Sequence, residues 1–314
     1  MVGPHGRTVA DAATVLGALT GVDPRDAATQ ESEGRFFTDY TQFLDPHGLR
    51  GARIGVPRGL PFSFGVSSRV DAIMEEAIQA MQDAGAVIID PADLPSADEL
   101  LFGNDEIIVL IYEFKRDLNA YLATRTGVPV HTLAEAIAFN QAHADQELRF
   151  FGQELFELAE ADIFSEEEYM MSLPRSKMLA RQQGIDAVMD QFNLDALVAP
   201  TGSPAWTTDL INGDHFLIGS SSFAAVAGYP NITVPAGLAF GLPVGISFFG
   251  RAYSEPTLIR LAYAFEPATK VRRPPQFLPT LPLEHPSMKT GGQGHSVSAA
   301  FSQARLMRAR GIAR

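Results

Sequence analysis

Ala52-Arg53-Ile54-Gly55-Val56, the stretch from Ser68 to Ala84, and Ala86-Val87-Ile88-Ile89-Asp90 decide the fold class. The first and last are short apolar runs of strand length. The middle one repeats its apolar residues at helical spacing, so the three together predict a β-α-β unit. A crossover of that kind makes its two strands parallel. Working outward, Leu194-Asp195-Ala196-Leu197-Val198-Ala199-Pro200, Asn231-Ile232-Thr233-Val234-Pro235 and Leu242 to Gly250 carry further β signal. Their continuous apolar runs predict strands covered on both faces. Glu255 to Thr269 follows as a helix, and Arg272-Arg273-Pro274-Pro275 ends it in an extended segment. The fold class expected is α/β, a mixed β-sheet core covered by helices.

Between these β segments, Ser96 to Gln191 is helical in pattern, with breaks at Gly127-Val128-Pro129, Gly152 and Ser172-Leu173-Pro174. It is expected to form a helical lobe over about residues 96–191. Near the start, Thr8 to Leu19 predicts a helix with Val9, Ala12, Ala13, Leu16 and Leu19 on one face, capped by Thr8. A strongly amphipathic helix with only a short lead-in suggests an interior segment of a longer fold. Residues 283–314 turn to Gly, Ser, Gln, Ala and Arg, with five basic residues against one acid, and predict a disordered basic tail. Residues 1–282 would then be the ordered portion.

Composition narrows the function. A hydrophobic fraction of 46% with 19% charged residues supplies a large core, and a net charge of −13 disfavours nucleic acid and anionic membrane. With no cysteine there is no thiolate nucleophile and no zinc–sulfur site. The first residues lack the apolar core of a signal peptide, so a cytoplasmic location is the expectation.

Three further stretches carry a family resemblance. Gly3-Pro4-His5-Gly6-Arg7-Thr8-Val9-Ala10-Asp11-Ala12, with the turn at Asp23 to Asp26, is one; Leu194 to Pro200 with Thr201 is the second. The third runs from Ala227-Gly228-Tyr229-Pro230 through Val234-Pro235-Ala236-Gly237 and Gly241 to Gly245 to Gly250-Arg251. In this order they resemble the amidase-signature family. Tyr112-Glu113-Phe114-Lys115-Arg116-Asp117-Leu118-Asn119-Ala120-Tyr121-Leu122 further resembles the branch containing peptide amidase.

The resemblance implies hydrolysis of a carboxamide C–N bond, of a small organic amide or a peptide C-terminal amide. It also implies a nucleophilic serine activated, through a second serine in a cis peptide, by a lysine. A hydroxyl needs such a base before it can attack. In the family those residues precede the Gly-Pro-x-x-Arg-Thr segment, so no position here inherits a catalytic role, and the chain alone is expected to be inactive and incomplete at the N-terminus. The histidines show no His-Glu-x-x-His or comparable ligand spacing, so no metal is expected, and no cofactor. The partners expected are a small-molecule or peptide amide substrate, if an N-terminal piece completes the chain, with no nucleic acid and no membrane. Two alternatives stand beside it: a non-catalytic binding or assembly module complementing a separate N-terminal piece, and an independent serine hydrolase.

Substrate contacts are expected where loops leave strand ends. Thr201, Gly202, Ser203 and Trp206 follow the strand ending at Pro200, and ligands of open α/β sheets lie beyond such ends. Trp206, the single tryptophan, is either a substrate wall or core packing under a loop. Asp214, Ser220 and Ser221 lie in the Gly-rich polar loop from Asn212 to Ser221. The same loop allows a bland reading, in which Gly219-Ser220-Ser221-Ser222 N-caps the helix that follows. A Ser-His-Asp set can be assembled from Ser203 or Ser221, His215, and Asp209 or Asp214, but geometry rather than proximity defines a triad. The lysines Lys115, Lys177, Lys270 and Lys289 are most simply solvated surface or helix ends.

Overall fold

The computed structural model describes residues 3–277 apart from 63, 214 and 218. The predicted tail therefore lies outside the described residues. In chain order the helices are α1 (Val9–Leu19), α2 (Ser68–Asp83), α3 (Ala97–Phe102), α4 (Asp105–Ala123), α5 (Leu133–Ala142), α6 (Ala144–Glu147), α7 (Glu154–Glu160), α8 (Glu166–Ala180), α9 (Asp186–Phe192), α10 (Ser222–Ala227) and α11 (Glu255–Thr269). The strands are β1 (Arg53–Gly55), β2 (Val87–Ile89), β3 (Ala196–Pro200), β4 (Asn231–Ala239) and β5 (Leu242–Phe249).

The strands form one five-stranded sheet in the order β2-β1-β3-β5-β4. β1 runs parallel to β2 and β3, and β5 runs antiparallel to β3 and β4, which makes the sheet mixed as expected. The β1-α2-β2 unit forms because α2 places Val70, Ile73, Met74, Ala77, Ile78 and Met81 on a single buried face. Ser67 caps its first turn, and Gly85, at φ +95°, turns the chain back toward β2. β4 and β5 join through Phe240 and Gly241, both at positive φ, the backbone of a two-residue hairpin turn whose twist matches that of the strands.

One sheet face packs Ile54, Ala196, Val198, Val234, Ile246 and Phe248 against α1, α2 and α11. On the opposite face, Phe62 stacks between Phe249 and Phe223 at centroid distances of 5.6 and 6.0 Å. α1 is fixed at its start by a capping box between Thr8 and Asp11, and both Glu266 oxygens accept from the Val9 N–H at 3.1 Å.

Three expectations need correction. Leu19 leaves the buried face of α1 at 61% exposure; Gly17 is buried instead, because a Cβ there would stand 2.5 Å from the Thr38 carbonyl oxygen. α8 runs through Ser172-Leu173-Pro174 without a break, since the turn that Pro174 disrupts, around Met170, is 61% exposed and open to water. β4 is an edge strand and not one covered on both faces: Asn231, Thr233 and Pro235 are exposed while Val234 and Ala236 are buried.

The chain divides into two units. Among the described residues the first comprises 3–97, 180–205 and 216–277 and contains the sheet; the second comprises 98–179 and 206–215. Within the second, Ile111, Leu133 and Ala159 form a small core with Phe114, Leu118 and Phe156 against it. The polar residues of the 112–122 stretch tie this unit together. Lys115 Nζ donates to the Glu160 carbonyl at 3.0 Å and to Asp162 at 2.6 Å, Asn119 Oδ1 accepts from the Leu133 N–H at 2.7 Å, and Glu113 accepts from the Tyr169 hydroxyl at 2.7 Å. Their chemistry is that of fixing helices rather than of a reaction.

Candidate functional site

β3 ends at Pro200, and the next residue begins a set of hydroxyls. Thr201 N–H donates to the Gly245 carbonyl at 2.9 Å, which extends the pairing of β3 with β5 by one step. Its Oγ1 then lies 2.5 Å from Thr233 Oγ1 on β4 and 2.9 Å from Ser247 Oγ on β5. Ser247 is 2% exposed, so its hydroxyl depends on this partner. Gly245 makes the cluster possible: a Cβ there would meet Thr201 Oγ1 at 2.8 Å and Thr233 Oγ1 at 2.9 Å.

Beyond Thr201, Gly202 forms an isolated antiparallel bridge with Gly219. The bridge brings two of the sequence-predicted segments side by side, Thr201-Gly202-Ser203 and Gly219-Ser220-Ser221. Gly219 accepts the ring of Phe216, whose Cζ would lie 2.7 Å from an added Cβ. Ser203 Oγ is buried and has no hydrogen-bond partner, and Ser220 is 1% exposed. An unpaired buried hydroxyl costs about 1–3 kcal/mol, a cost that the buried Arg69 Nε, Glu160 Oε2 and Glu255 Oε2 share with Ser203 among the described residues. Ser221 stands at the N-cap of α10, yet its side chain makes no capping bond, so the capping reading of this loop is not what the geometry shows. α10 ends instead at Gly228, at φ +67°.

The loop is held from the other side by a charged network. Arg181, in a π-helical turn over Arg181–Ile185, donates from Nε to the Ala227 carbonyl at 2.6 Å and lies over the Tyr229 ring. Tyr229 donates its hydroxyl to Asp186 at 2.8 Å, and burial together with that bond pushes its pKa up to about 12. Arg251 pairs with Asp190.

Trp206 and the residues to His215 belong to the second unit. Trp206 is 43% exposed, which sets aside the reading of it as buried core. Asp214 lies outside the described residues. His215 Nε2 lies 3.0 Å from Asp209 Oδ2, so that pair of the conjectured triad is real. Asp209, however, is an organiser of its own loop. Its Oδ1 accepts from the backbone of Ile211 and Asn212 at 2.8 and 2.9 Å, and its Oδ2 accepts from the Asn212 side chain at 2.9 Å. Those bonds, the Asn212 backbone first and the His215 contact after it, hold the Asp209 carboxyl well below the usual carboxylate range. No hydroxyl hydrogen-bonds to His215 among the described residues.

Sequence reasoning missed Thr233, Gly245 and Ser247. Two hollows lie elsewhere: one of about 300 Å³ beside Arg69, Ile73 and Gly237, and one of about 210 Å³ beside Tyr112, Lys115 and Asp162. No helix among the described residues is long and apolar enough to cross a membrane.

A mixed α/β sheet whose central strand opens into paired hydroxyl- and glycine-rich loops is the architecture in which α/β enzymes place a ligand. This chain belongs to the Amidase family, which matches residues 1–259. It is 38% identical over 283 residues to a probable amidase of Arabidopsis thaliana, covering 88% of this chain and 50% of that protein. The crystal structure of the peptide amidase PAM in complex with the competitive inhibitor chymostatin is 45% identical, with a TM-score of 0.79, over 88% of this chain and 55% of that one. Native peptide amidase from Stenotrophomonas maltophilia gives 44% identity and a TM-score of 0.75, over 88% and 54%. These likenesses fit the peptide amidase-like branch. The chain spans about half the length of these relatives.

Proposed function

We propose that this chain is the substrate-contacting part of a carboxamide hydrolase, which cleaves a peptide C-terminal amide or a small organic amide to the acid and ammonia. In this reading the nucleophilic serine, its cis-serine relay and the lysine belong to the part of the family pattern that comes before the Gly3-Pro4 segment. The observation that carries the proposal is the Amidase match along residues 1–259 together with 45% identity to a peptide amidase. Lys115 is engaged by Asp162 and Glu160, which suits a tie between helices more than a general base.

The chemistry assigned to the chain is positioning. Serine attack on an amide carbonyl puts negative charge on the oxygen and requires a proton for the departing amine. The Gly202–Gly219 bridge lets backbone approach a ligand closely, and the buried Ser203 hydroxyl is free to donate to or accept from a carboxamide. Thr201, Thr233 and Ser247 brace the strand ends that carry it.

The test is co-expression with the N-terminal half of a peptide amidase, followed by measurement of ammonia and free acid released from N-acetyl-leucinamide. Equal amounts of both products are expected. Failure to hydrolyse any peptide or aliphatic amide in a soluble, assembled complex would refute the proposal.

A further inference from the structure

Two arginines line one hollow with no carboxylate to pair them. The hollow, of about 300 Å³, lies beside the first two turns of α2, the end of β4 and residues 271–273 after α11, all within the unit that contains the sheet. Arg69 and Arg273 form no ion pair among the described residues, in a chain whose net charge is −13. The Arg69 Nε is buried without a hydrogen-bond partner, and its guanidinium lies over the Phe240 ring at 5.7 Å, which holds it against the β4–β5 hairpin. Arg273 is fixed by its own backbone: Nη1 donates to the Lys270 and Arg272 carbonyls at 2.9 and 3.2 Å, which leaves Nε and Nη2 uncommitted. The rest of the lining is mostly apolar, with Ile73, Leu238 and Val271 in it, and Glu76 is its one acid. Gly237 lets β4 lie close to α2, since a Cβ there would meet Ile73 at 2.8 Å, and the irregularity between Pro235 and Gly237 bends the strand at this point.

We propose that this hollow binds a small aliphatic monocarboxylate, with Arg69 and Arg273 on the carboxylate and Ile73, Leu238 and Val271 against its hydrocarbon body. Guanidinium N–H groups form their strongest hydrogen bonds with anionic oxygens, so the buried Arg69 Nε suits an anionic acceptor. Charge then selects among anions. Arg69 and Arg273 against Glu76 leave one positive charge, which matches a monoanion and disfavours a dianion such as phosphate. The site is separate from the hydroxyl cluster. Thr233 and Ser247 alternate along β4 and β5 with Val234 and Ile246, which pack toward α2, so cluster and hollow lie on opposite faces of the sheet. The proposal goes beyond the carboxamide-hydrolase reading and does not rest on it.

The full chain is titrated calorimetrically with isovalerate at pH 8 and low ionic strength. Isovaleramide serves as the neutral counterpart, acetate as a carboxylate without the branched body, and inorganic phosphate as a dianion. Saturable isovalerate binding is expected, with each of the three controls at least about tenfold weaker. N-acetyl-leucine, titrated beside isovalerate, tells a free short-chain acid from the carboxylate end of an acylated amino acid; the tighter binder names the source, and either supports the site. Arg69→Met keeps the apolar stem and removes every N–H, and Arg273→Gln removes the second charge. Each is expected to weaken carboxylate binding about tenfold, the loss of one charge-assisted pair.

A control that binds as tightly as isovalerate, no saturable heat with either carboxylate, or folded arginine variants that bind like the parent would each overturn the proposal. Circular dichroism checks the fold, and if Arg69→Met disturbs α2, Arg273→Gln decides alone, being at an exposed position beyond the last helix. Ammonia release by the assembled enzyme is expected to be the same for Arg273→Gln and the parent, so failure of this site and failure of the hydrolase reading are told apart.

Discussion

Thr201→Val is the perturbation that most directly probes how the strand ends are held. Valine matches threonine in shape and removes only the hydroxyl that bonds both Thr233, at 2.5 Å, and Ser247, at 2.9 Å. The two orphaned partners differ. Thr233 is exposed and keeps its donation to the Ile246 carbonyl at 3.4 Å, so its loss is small. Ser247 is 2% exposed and is left without its partner, which costs about 1–3 kcal/mol. Adding Ser247→Ala removes the stranded hydroxyl, so the double variant is expected to recover part of that loss. The interaction energy between the two substitutions is expected to be about 1 kcal/mol. Urea unfolding followed by circular dichroism measures all four proteins, and a loss of this size lowers the melting temperature by about 2–4 °C per kcal/mol in a large domain. Strictly additive losses, or a double variant less stable than the sum, would refute the claim that Thr201 serves the buried serine.

Gly17→Ala should destabilise by about 1–3 kcal/mol in chemical unfolding, because the new methyl meets the Thr38 carbonyl oxygen at 2.5 Å. Helix propensity alone predicts a gain of about 1 kcal/mol, so the sign of the change decides which effect governs α1. Glu266 is expected to show in the pH dependence of stability. Burial raises its pKa above the ordinary glutamate value of 4.5, so folding takes up a proton. Its protonated form therefore contributes stability that is fully present at low pH and is lost as pH rises from that value through the raised one. Glu266→Gln retains an oxygen for the Val9 N–H and should flatten this slope; an unchanged slope would assign the pH dependence to other groups.

Much of the scaffold was legible because strand and helix periods differ so plainly on either side of Gly85. The β1-α2-β2 unit, the parallel pairing and the capped start of α1 all follow from those periods and from Thr8. The extension of β4 to Ala239 was not legible. Ala236-Gly237-Leu238-Ala239 carries little β signal, and the irregularity between Pro235 and Gly237 breaks the alternation that would have revealed it. Gly237 is required there, with Ile73 2.8 Å from where its Cβ would be. The loop segments around Thr201 and Ser220 could be picked from composition, but their meeting through Gly202 and Gly219 is a long-range event. The hydroxyl cluster was missed for the same reason, since it depends on the register of β3, β5 and β4. One signal was available: Ser247 interrupts an otherwise apolar strand interior, and a polar residue at such a place demands a partner. Asp209 could stand with Asp214 as a conceivable triad acid in the sequence only because its turn bonds are invisible without geometry.

The proposal that this chain positions substrate, while the nucleophile belongs to the part of the family pattern ahead of Gly3-Pro4, is tested most directly by covalent labelling. A fluorophosphonate probe is applied to the chain alone and to the chain assembled with the N-terminal half of a peptide amidase, and the labelled serine is located by peptide mapping. The account predicts no label on this chain in either sample, label on the added polypeptide, and ammonia release only from the assembly. Label on Ser203, Ser220 or Ser221, accompanied by amide turnover in the isolated chain and abolished by substitution of that serine, would contradict it.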